Sequence, residues 1–344
     1  MARNKDSIRI TLNVTKRCNR GCNHCYMSCV DKPSPYLKAS DVSDLLEQYG
    51  EFSSEQIKRV AITGGEPFMN PEILDIFDVL GRSEKVESIG IISSGFLTSD
   101  PEIKLFKKLL ERKYVNKVDF GISFNGYAKS FPERIENTLE LLLNSRAKHF
   151  YIQSAADCGN LKETHKQLEK ILRKKRFYPW LALPKKLDPE YTEAYTDTRG
   201  FIPMEEIVED AILEDILWVG WGKKRKKVKT FRIYYFLIHY DGRAEKLLED
   251  GFFANYCPMF SGIEPPRKII IDCDKKVYPF CNCIAIKGMH LGELGKDSLE
   301  ELFRISRSFR ERITGEILLD KKLSSPIGAC KICREIAFNK KLLV

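Results

Sequence analysis

Three cysteines crowd one short segment that directly follows an alternating apolar run. Cys18, Cys22 and Cys25 are spaced by four and three residues, and the run from Ile8 to Val14 has the period of a β-strand. This spacing allows three thiolates to bind one metal centre. A structural zinc site commonly uses four protein ligands, whereas an iron–sulfur cube held by three thiolates keeps one iron free. From these residues alone, a zinc knuckle and an open iron–sulfur site are both possible.

A second motif, Gly64-Gly65-Glu66-Pro67, follows a predicted buried strand at 59–63. The two glycines allow the backbone to approach a ligand closely and to adopt dihedral angles closed to other residues. Backbone carbonyls at this point can accept hydrogen bonds from an ammonium group, and the Glu66 carboxylate adds an anionic acceptor. From these residues alone, a site for a ligand with an amino group and a plain turn are both possible.

Strands and helices are predicted to alternate through the first half of the chain. The predicted strands are 8–14, 59–63, 88–92, 117–122 and 149–153, and the predicted helices are 42–49, a helix starting at Asn70, 101–113, 135–143 and 161–172. Ser40 and Asp41 are expected to cap the first helix. Such alternation implies an α/β fold with a parallel sheet, whose ligands sit at the carboxyl ends of the strands. We also expect a strand or aromatic lid at 177–183, a helix at 204–219 and a sixth strand at 231–238.

The two motifs, in this order and about 40 residues apart, resemble the signature of the radical SAM superfamily. That signature is CxxxCxxC after the first strand, with an aromatic residue before the last cysteine, where His24 stands here. The resemblance implies a partial (β/α)6 TIM barrel and a 4Fe-4S cluster on Cys18, Cys22 and Cys25. It also implies that S-adenosylmethionine (SAM) chelates the open iron and is split to a 5′-deoxyadenosyl radical, which abstracts hydrogen from a substrate C–H bond.

The same resemblance implies a set of SAM contacts. The ends of the third and fourth strands are similar to TNG-like and S-x-D-G-like sequences, with Ser94 where Asn is common and Asn125 where Asp is common. The sequence after the sixth strand is similar to a GRA sequence that includes Arg243. A turn-forming polar residue is the alternative interpretation at these positions. The expected cofactor-binding residues are Tyr26, Gly64, Gly65, Glu66, Ser94, Ser123, Asn125, Gln153 and Arg243.

The last quarter of the chain contains a predicted hairpin, 268–271 and 276–280, flanked by cysteines. It resembles the twitch/SPASM-like subdomain of radical SAM enzymes, although Lys276 stands where the turn usually has glycine. The resemblance implies one auxiliary 4Fe-4S cluster, and zinc on the same cysteines is the alternative. The expected ligands are Cys257, Cys281, Cys330 and Cys333. We predict a partial barrel at 1–245, with an unassigned insertion at about 177–230, and the auxiliary subdomain at 246–344.

The remaining cysteines have no ligand role in this scheme. Cys283 can be an alternative ligand, a buried bystander or a thiol that donates hydrogen to a substrate radical. Cys29, Cys158 and Cys273 are interpreted as small buried apolar residues. With eleven cysteines and no apolar leader, the chain is expected to work in the reducing cytoplasm. No apolar run approaches the roughly 20 residues of a membrane span.

The resemblance implies peptide modification in ribosomal peptide maturation as the function, by epimerisation, crosslinking or thioether formation. No leader-recognition domain precedes the first strand, so recognition is expected to use a leader-free mode, a partner protein or the 177–230 insertion. A flavodoxin- or ferredoxin-like protein is the expected electron donor. One alternative is a radical SAM dehydrogenase of a small alcohol or sugar. The other is a zinc-binding nucleic-acid or scaffold protein using the basic run at 223–229, but that run is interpreted as a solvated surface and nucleic acid is not expected as a partner.

Overall fold

The computed structural model describes residues 8–22, 25, 27–95, 100–123, 131–147, 149–156, 178–182, 214–221, 226–237, 267–279 and 288–319. For the described residues between 151 and 237, the description covers the backbone course alone. The chain divides into two compact units, one formed by 1–90 with 239–344 and the other by 91–238. The domain boundary at residue 245 stays a prediction.

The described strands and helices follow one another in the order that the alternating pattern predicts for the first half of the chain. They are β1 (Arg9–Asn13), α1 (Ala39–Phe52), β2 (Arg59–Thr63), α2 (Ile73–Arg82), β3 (Ile89–Ser93), α3 (Asp100–Leu110), β4 (Val118–Ser123), α4 (Phe131–Asn144), β5 (His149–Ala156), β6 (Tyr178–Ala182), β7 (Glu214–Trp221), β8 (Lys226–Leu237), β9 (Lys268–Ile271), β10 (Lys276–Tyr278), β11 (Gly292–Glu293) and α5 (Leu299–Leu319). Short 3-10 turns lie at Pro67–Met69 and Lys113–Lys117.

In the first unit, β1 lies between β2 and β9 and runs parallel to both. Ile10, Leu12, Val60 and Ile62 share one face of these strands by register, and all four side chains are fully buried. This apolar face forms part of the core. β10 pairs antiparallel with both β9 and β11. The hairpin of β9 and β10 therefore extends the sheet on the side of β1 opposite to β2.

The predicted hairpin at the C-terminal end of the chain is confirmed. Its turn places Lys275 at φ +68°, the left-handed region where glycine is more usual. Two backbone hydrogen bonds close the turn, from Lys275 N–H to Asp272 O at 2.8 Å and from Asp272 N–H to Lys276 O at 2.9 Å. The turn therefore forms without the glycine common in the resembling family.

The amphipathic helices of the first unit bury the faces that their sequence periods predict. α1 buries Val42, Leu45 and Tyr49, and α2 buries Ile76 and Phe77 among others. The predicted start of α1 is wrong, because the helix begins at Ala39, before Ser40. The Asp41 carboxylate instead reaches back from the first turn to accept a hydrogen bond from Lys38 N–H at 2.9 Å.

In the second unit, β5 is parallel to both β4 and β8, whereas β6, β7 and β8 pair antiparallel. The segment at 177–183 therefore contains a strand. The predicted helix at 204–219 is wrong over 214–219, which belongs to β7. β8 also starts earlier than predicted, at Lys226, so residues 226–229 of the basic run lie in a strand. The predicted α/β class with a sheet rich in parallel pairs is confirmed.

No described helix combines the length and the apolar character that crossing a membrane would require.

Candidate functional site

The three cysteines lie on the loop that leaves the carboxyl end of β1. Cys18 N–H donates to Val30 O at 3.0 Å, which closes the loop at its base. Within the loop, Cys25 N–H donates to Cys22 O at 3.2 Å and Ser28 N–H donates to Cys25 O at 3.1 Å. These bonds hold the part-buried free thiols of Cys18, Cys22 and Cys25 in one compact segment.

Electrostatics show what this loop is suited to hold. Burial raises the pKa of the Cys18 thiol to about 12, and the charges of Glu66 and the other two cysteines act in the same direction. Thiolates at the three cysteines and the Glu66 carboxylate would therefore repel one another unless a positive charge lies close to them. Burial lowers the pKa of the nearby Arg20 guanidinium, while Cys22, Cys18 and Glu66 attract its charge. Arg20 thus offsets part of the negative charge that thiolates would carry.

In the described part of the chain, no three Cys, His, Asp or Glu side chains converge as a ready metal-binding group. Cys18, Cys22 and Cys25 nevertheless fit an iron–sulfur centre in kind. They are three thiols on one loop, partly shielded from water, whose charges influence one another. A cluster accepts thiolate ligands of this type.

Gly64 and Gly65 pack directly against the segment that leads into the cysteines. Gly65 N–H donates to Thr15 O at 2.6 Å, and Glu66 N–H donates to Arg17 O at 2.8 Å. A Cβ atom on Gly65 would lie 2.1 Å from Arg17 O, and one on Gly64 would lie 2.4 Å from Thr15 O. Gly64 also has φ +128°. The glycines are therefore required by contact with the cysteine segment, a role that sequence reasoning, which considered only a ligand, missed.

Glu66 is fully buried at the end of this contact. Its carboxylate accepts a hydrogen bond from Phe68 N–H at 3.4 Å, at the start of the 3-10 turn. Its charge influences Cys18 and Arg20. The carboxylate thus lies in the electrostatic environment of the cysteine loop, where an ammonium group would be favoured.

Asn70 fastens these segments to one another. Its Nδ2 donates to Val14 O at 3.0 Å and to Leu37 O at 2.9 Å, and its Oδ1 accepts from Glu72 N–H at 2.8 Å. The helix predicted to start at Asn70 begins at Ile73 instead. The fully buried amide therefore joins the end of β1 to the approach to α2.

Two predicted SAM contacts are described in the second unit. Ser94 is buried directly after β3, and Ser123 is half-buried at the end of β4. The adjacent turn is held by Gly95 N–H, which donates to Ser93 Oγ at 3.0 Å, and by Thr138 Oγ1, which donates to Gly95 O at 2.8 Å. Both serines follow strands as predicted, and their contacts with SAM stay predictions.

Several predicted residues are not described. Gln153 lies on β5, where only the backbone is described. The residues outside the described part of the chain are Tyr26, Asn125, Cys158, Arg243, Cys257, Cys281, Cys283, Cys330 and Cys333.

Two cysteines without a proposed ligand role are described. Cys29 and Cys273 are buried, as predicted.

A family comparison matches a segment of 127 residues near the start of the 344-residue chain. The model described as the Radical SAM superfamily matches residues 12–138. This range includes the cysteine loop, the glycine motif and the ends of β3 and β4.

Curated proteins with similar sequences carry one recurrent name. A GTP 3′,8-cyclase of Desulforamulus reducens is 27% identical over 119 residues, which cover 35% of this chain and 35% of that protein. A GTP 3′,8-cyclase of Haemophilus ducreyi is 22% identical over 259 residues, which cover 72% of this chain and 71% of that protein. The first of these alignments thus spans about a third of the relative's length.

The fold also has solved counterparts. A structure titled native anSMEcpe with bound AdoMet and Cp18Cys peptide aligns with a TM-score of 0.51 at 14% identity. The alignment covers 90% of this chain and 83% of that chain. At this identity the likeness supports the fold alone.

Proposed function

We propose that this chain, whose residues 12–138 match the Radical SAM superfamily, cleaves SAM reductively and uses the resulting radical to modify a peptide. The observation that carries the proposal is the contact between the two motifs. Gly65 and Glu66 are hydrogen-bonded along the segment that leads into the cysteines, at 2.6 and 2.8 Å. This contact supports the proposal because a ligand held by one motif would lie next to a group held by the other.

Each part of the site has a separate task in this proposal. Cys18, Cys22 and Cys25 hold a 4Fe-4S cluster, which when bound supplies the electron that cleaves SAM. Glu66 and the backbone of the glycine motif bind the methionine amino group. Arg20 balances the negative charge of the thiolates. Ser94, Ser123, Asn125, Gln153, Tyr26 and Arg243 are proposed as further SAM contacts.

Two observations support a peptide rather than a nucleoside triphosphate as substrate. The solved relative anSMEcpe was crystallised with a peptide. In this chain, Lys16, at the carboxyl end of β1, is neutralised by the buried Asp272, with 2.5 Å between Lys16 Nζ and Asp272 Oδ2. A triphosphate is bound best by cations that lack such partners.

A small-molecule radical reaction is the second candidate. It is favoured by the curated relatives, which are named GTP 3′,8-cyclases. For either reaction, we propose that Cys257, Cys281, Cys330 and Cys333 hold an auxiliary 4Fe-4S cluster. Cys283 is proposed as a hydrogen donor to a substrate radical.

Metal content and SAM cleavage test the proposal. After anaerobic reconstitution with iron and sulfide, the wild-type chain is expected to bind about eight irons, the content of two cubes. With SAM and dithionite it should release 5′-deoxyadenosine, measured by chromatography. A content of about four irons would refute the proposed auxiliary cluster. Tightly bound zinc with no deoxyadenosine would overturn the proposed function.

Substrate stimulation separates the two candidates. A short precursor peptide encoded beside the gene is expected to accelerate deoxyadenosine formation and to gain a mass change on incubation. GTP is expected to do neither. If GTP is consumed and the peptide is returned unchanged, the small-molecule reaction replaces peptide modification.

A further inference from the structure

Two fully buried asparagines of the first unit differ sharply in their hydrogen bonding. Asn70 uses both its amide nitrogen and its amide oxygen in the contacts given above. Asn13, at the end of β1, has 0% exposure, and among the described residues neither its Nδ2 nor its Oδ1 has a hydrogen-bond partner. A buried amide without partners is destabilising because it loses the hydrogen bonds that water would give it, so native proteins rarely keep one without a use.

The strand register places Asn13 in a polar row. Asn13 pairs with Thr63 of β2, so the two side chains share a face. On the other side, Ile271 of β9 pairs with Leu12, and Asp272 follows it at the level of Asn13. Extending this register by one residue beyond β9 puts Asp272, Asn13 and Thr63 in a row at the carboxyl ends of three adjacent parallel strands. We refer to them as the strand-end row.

The two faces of these strands have different surroundings. Ile10, Leu12 and Ile62 on one face are fully buried. On the face of the strand-end row, Ala61 and Thr63 are partly exposed. Thr11, Asn13 and Asp272 on the same face are buried, so the row meets solvent at its Thr63 end. The cysteine loop and the glycine motif continue from the ends of the same strands.

Charge in the row is already balanced. Asp272 is fully buried, and its Oδ2 lies 2.5 Å from Lys16 Nζ. Asp272 Oδ1 has no hydrogen bond among the described residues. The groups of the row without a hydrogen bond among the described residues are therefore the amide nitrogen and oxygen of Asn13 and Oδ1 of Asp272.

We propose that Asn13 binds a peptide amide of the substrate, with Asp272 accepting a neighbouring N–H group. This inference rests on the proposed function, whose substrate it describes. A primary amide offers one donor and one acceptor side by side, and a secondary amide is a matching partner. The edge of a nucleobase presents a similar pair, so the test includes it.

A stability comparison asks whether Asn13 has a structural role. Asn13→Leu keeps the size of the side chain and removes no protein hydrogen bond, so the melting temperature should stay within about 2 °C of wild type or rise. Asn70→Leu removes three hydrogen bonds and should lower it by about 5–10 °C. If Asn13→Leu lowers it as Asn70→Leu does, a water-bridged structural role replaces our proposal. If Asn70→Leu fails to fold, the comparison of Asn13→Leu with wild type still decides.

Probe binding then tests the ligand chemistry. Crystals of the reconstituted full chain are soaked with N-methylacetamide, with methyl acetate, which lacks the N–H donor, or with guanosine. N-methylacetamide should appear on Asn13 in wild type and be absent from Asn13→Leu, and methyl acetate should be absent from both. Water alone on Asn13, or guanosine in place of the amide, would overturn the proposal. Neither readout depends on SAM cleavage, so a chain that binds the amide but releases no deoxyadenosine would refute the proposed function alone.

Discussion

Replacing Cys18, Cys22 and Cys25 together by alanine is expected to halve the iron content and abolish 5′-deoxyadenosine formation. The iron of the reconstituted chain should fall from about eight to about four per chain, because one cube loses all its protein ligands. The backbone bonds from Cys18 N–H to Val30 O and from Ser28 N–H to Cys25 O do not involve the thiols and are retained, whereas the bond from Cys29 N–H to Cys25 Sγ at 3.4 Å is lost. The variant should therefore fold. Iron analysis and chromatography of the SAM products measure the two effects.

Cys273→Ala is the matched control for this triple variant. Cys273 is a buried free cysteine of the same unit, on the hairpin turn, and has no proposed ligand role. Its replacement should leave iron content and deoxyadenosine formation near the wild-type values. Retention of all eight irons by the triple variant, or deoxyadenosine formation at the wild-type rate, would exclude the cysteine loop as the site of SAM cleavage.

Local sequence patterns predicted much of the fold. β2 lies at the predicted residues, because the short apolar run Val60-Ala61-Ile62 just before a Gly-Gly turn leaves few alternatives. The prediction was wrong for β7, whose residues 216–219 form a continuous apolar run. Such a run fits a buried helix as well as a strand, and its pairing with β8 decides between them. A nonlocal partner of this kind cannot be read from a local period.

The site was predictable to the extent that its residues form short motifs. The positions of the cysteines and of Glu66 follow from the sequence, but the contact of Gly65 with Arg17 depends on how the segments after β1 and β2 meet. The position of Asp272 beside Asn13 depends on the pairing of β1 with β9, two strands far apart in the chain. Polar residues brought together by such register carry no local signal, and the burial and missing partners of Asn13 appear only in three dimensions.

Replacing Gly65 by alanine is expected to separate the glycine motif from the cysteine segment. The new Cβ would lie 2.1 Å from Arg17 O and 2.9 Å from Lys16 C, both backbone atoms that cannot turn aside. The hydrogen bonds from Gly65 N–H to Thr15 O and from Glu66 N–H to Arg17 O would have to lengthen. We expect a cost of about 3 kcal/mol and a fall of about 5–10 °C in melting temperature. SAM affinity, measured by equilibrium dialysis, should fall at least tenfold because the Glu66 backbone moves with Gly65.

Gly295→Ala separates this clash from ordinary backbone strain. Gly295 has φ +85°, but no atom lies within 4 Å of the position that a Cβ would take, so alanine there costs about 1–2 kcal/mol of strain without displacing a neighbour. Its SAM affinity should match wild type, since the residue lies on the turn after β11, away from both motifs in the chain. Gly64→Ala combines a positive φ of +128° with a contact of 2.4 Å and should be at least as damaging as Gly65→Ala. If Gly65→Ala and Gly295→Ala lower stability equally and both bind SAM as wild type does, the close contact between the two motifs does not position the cofactor, and the proposed use of the glycine motif fails with it.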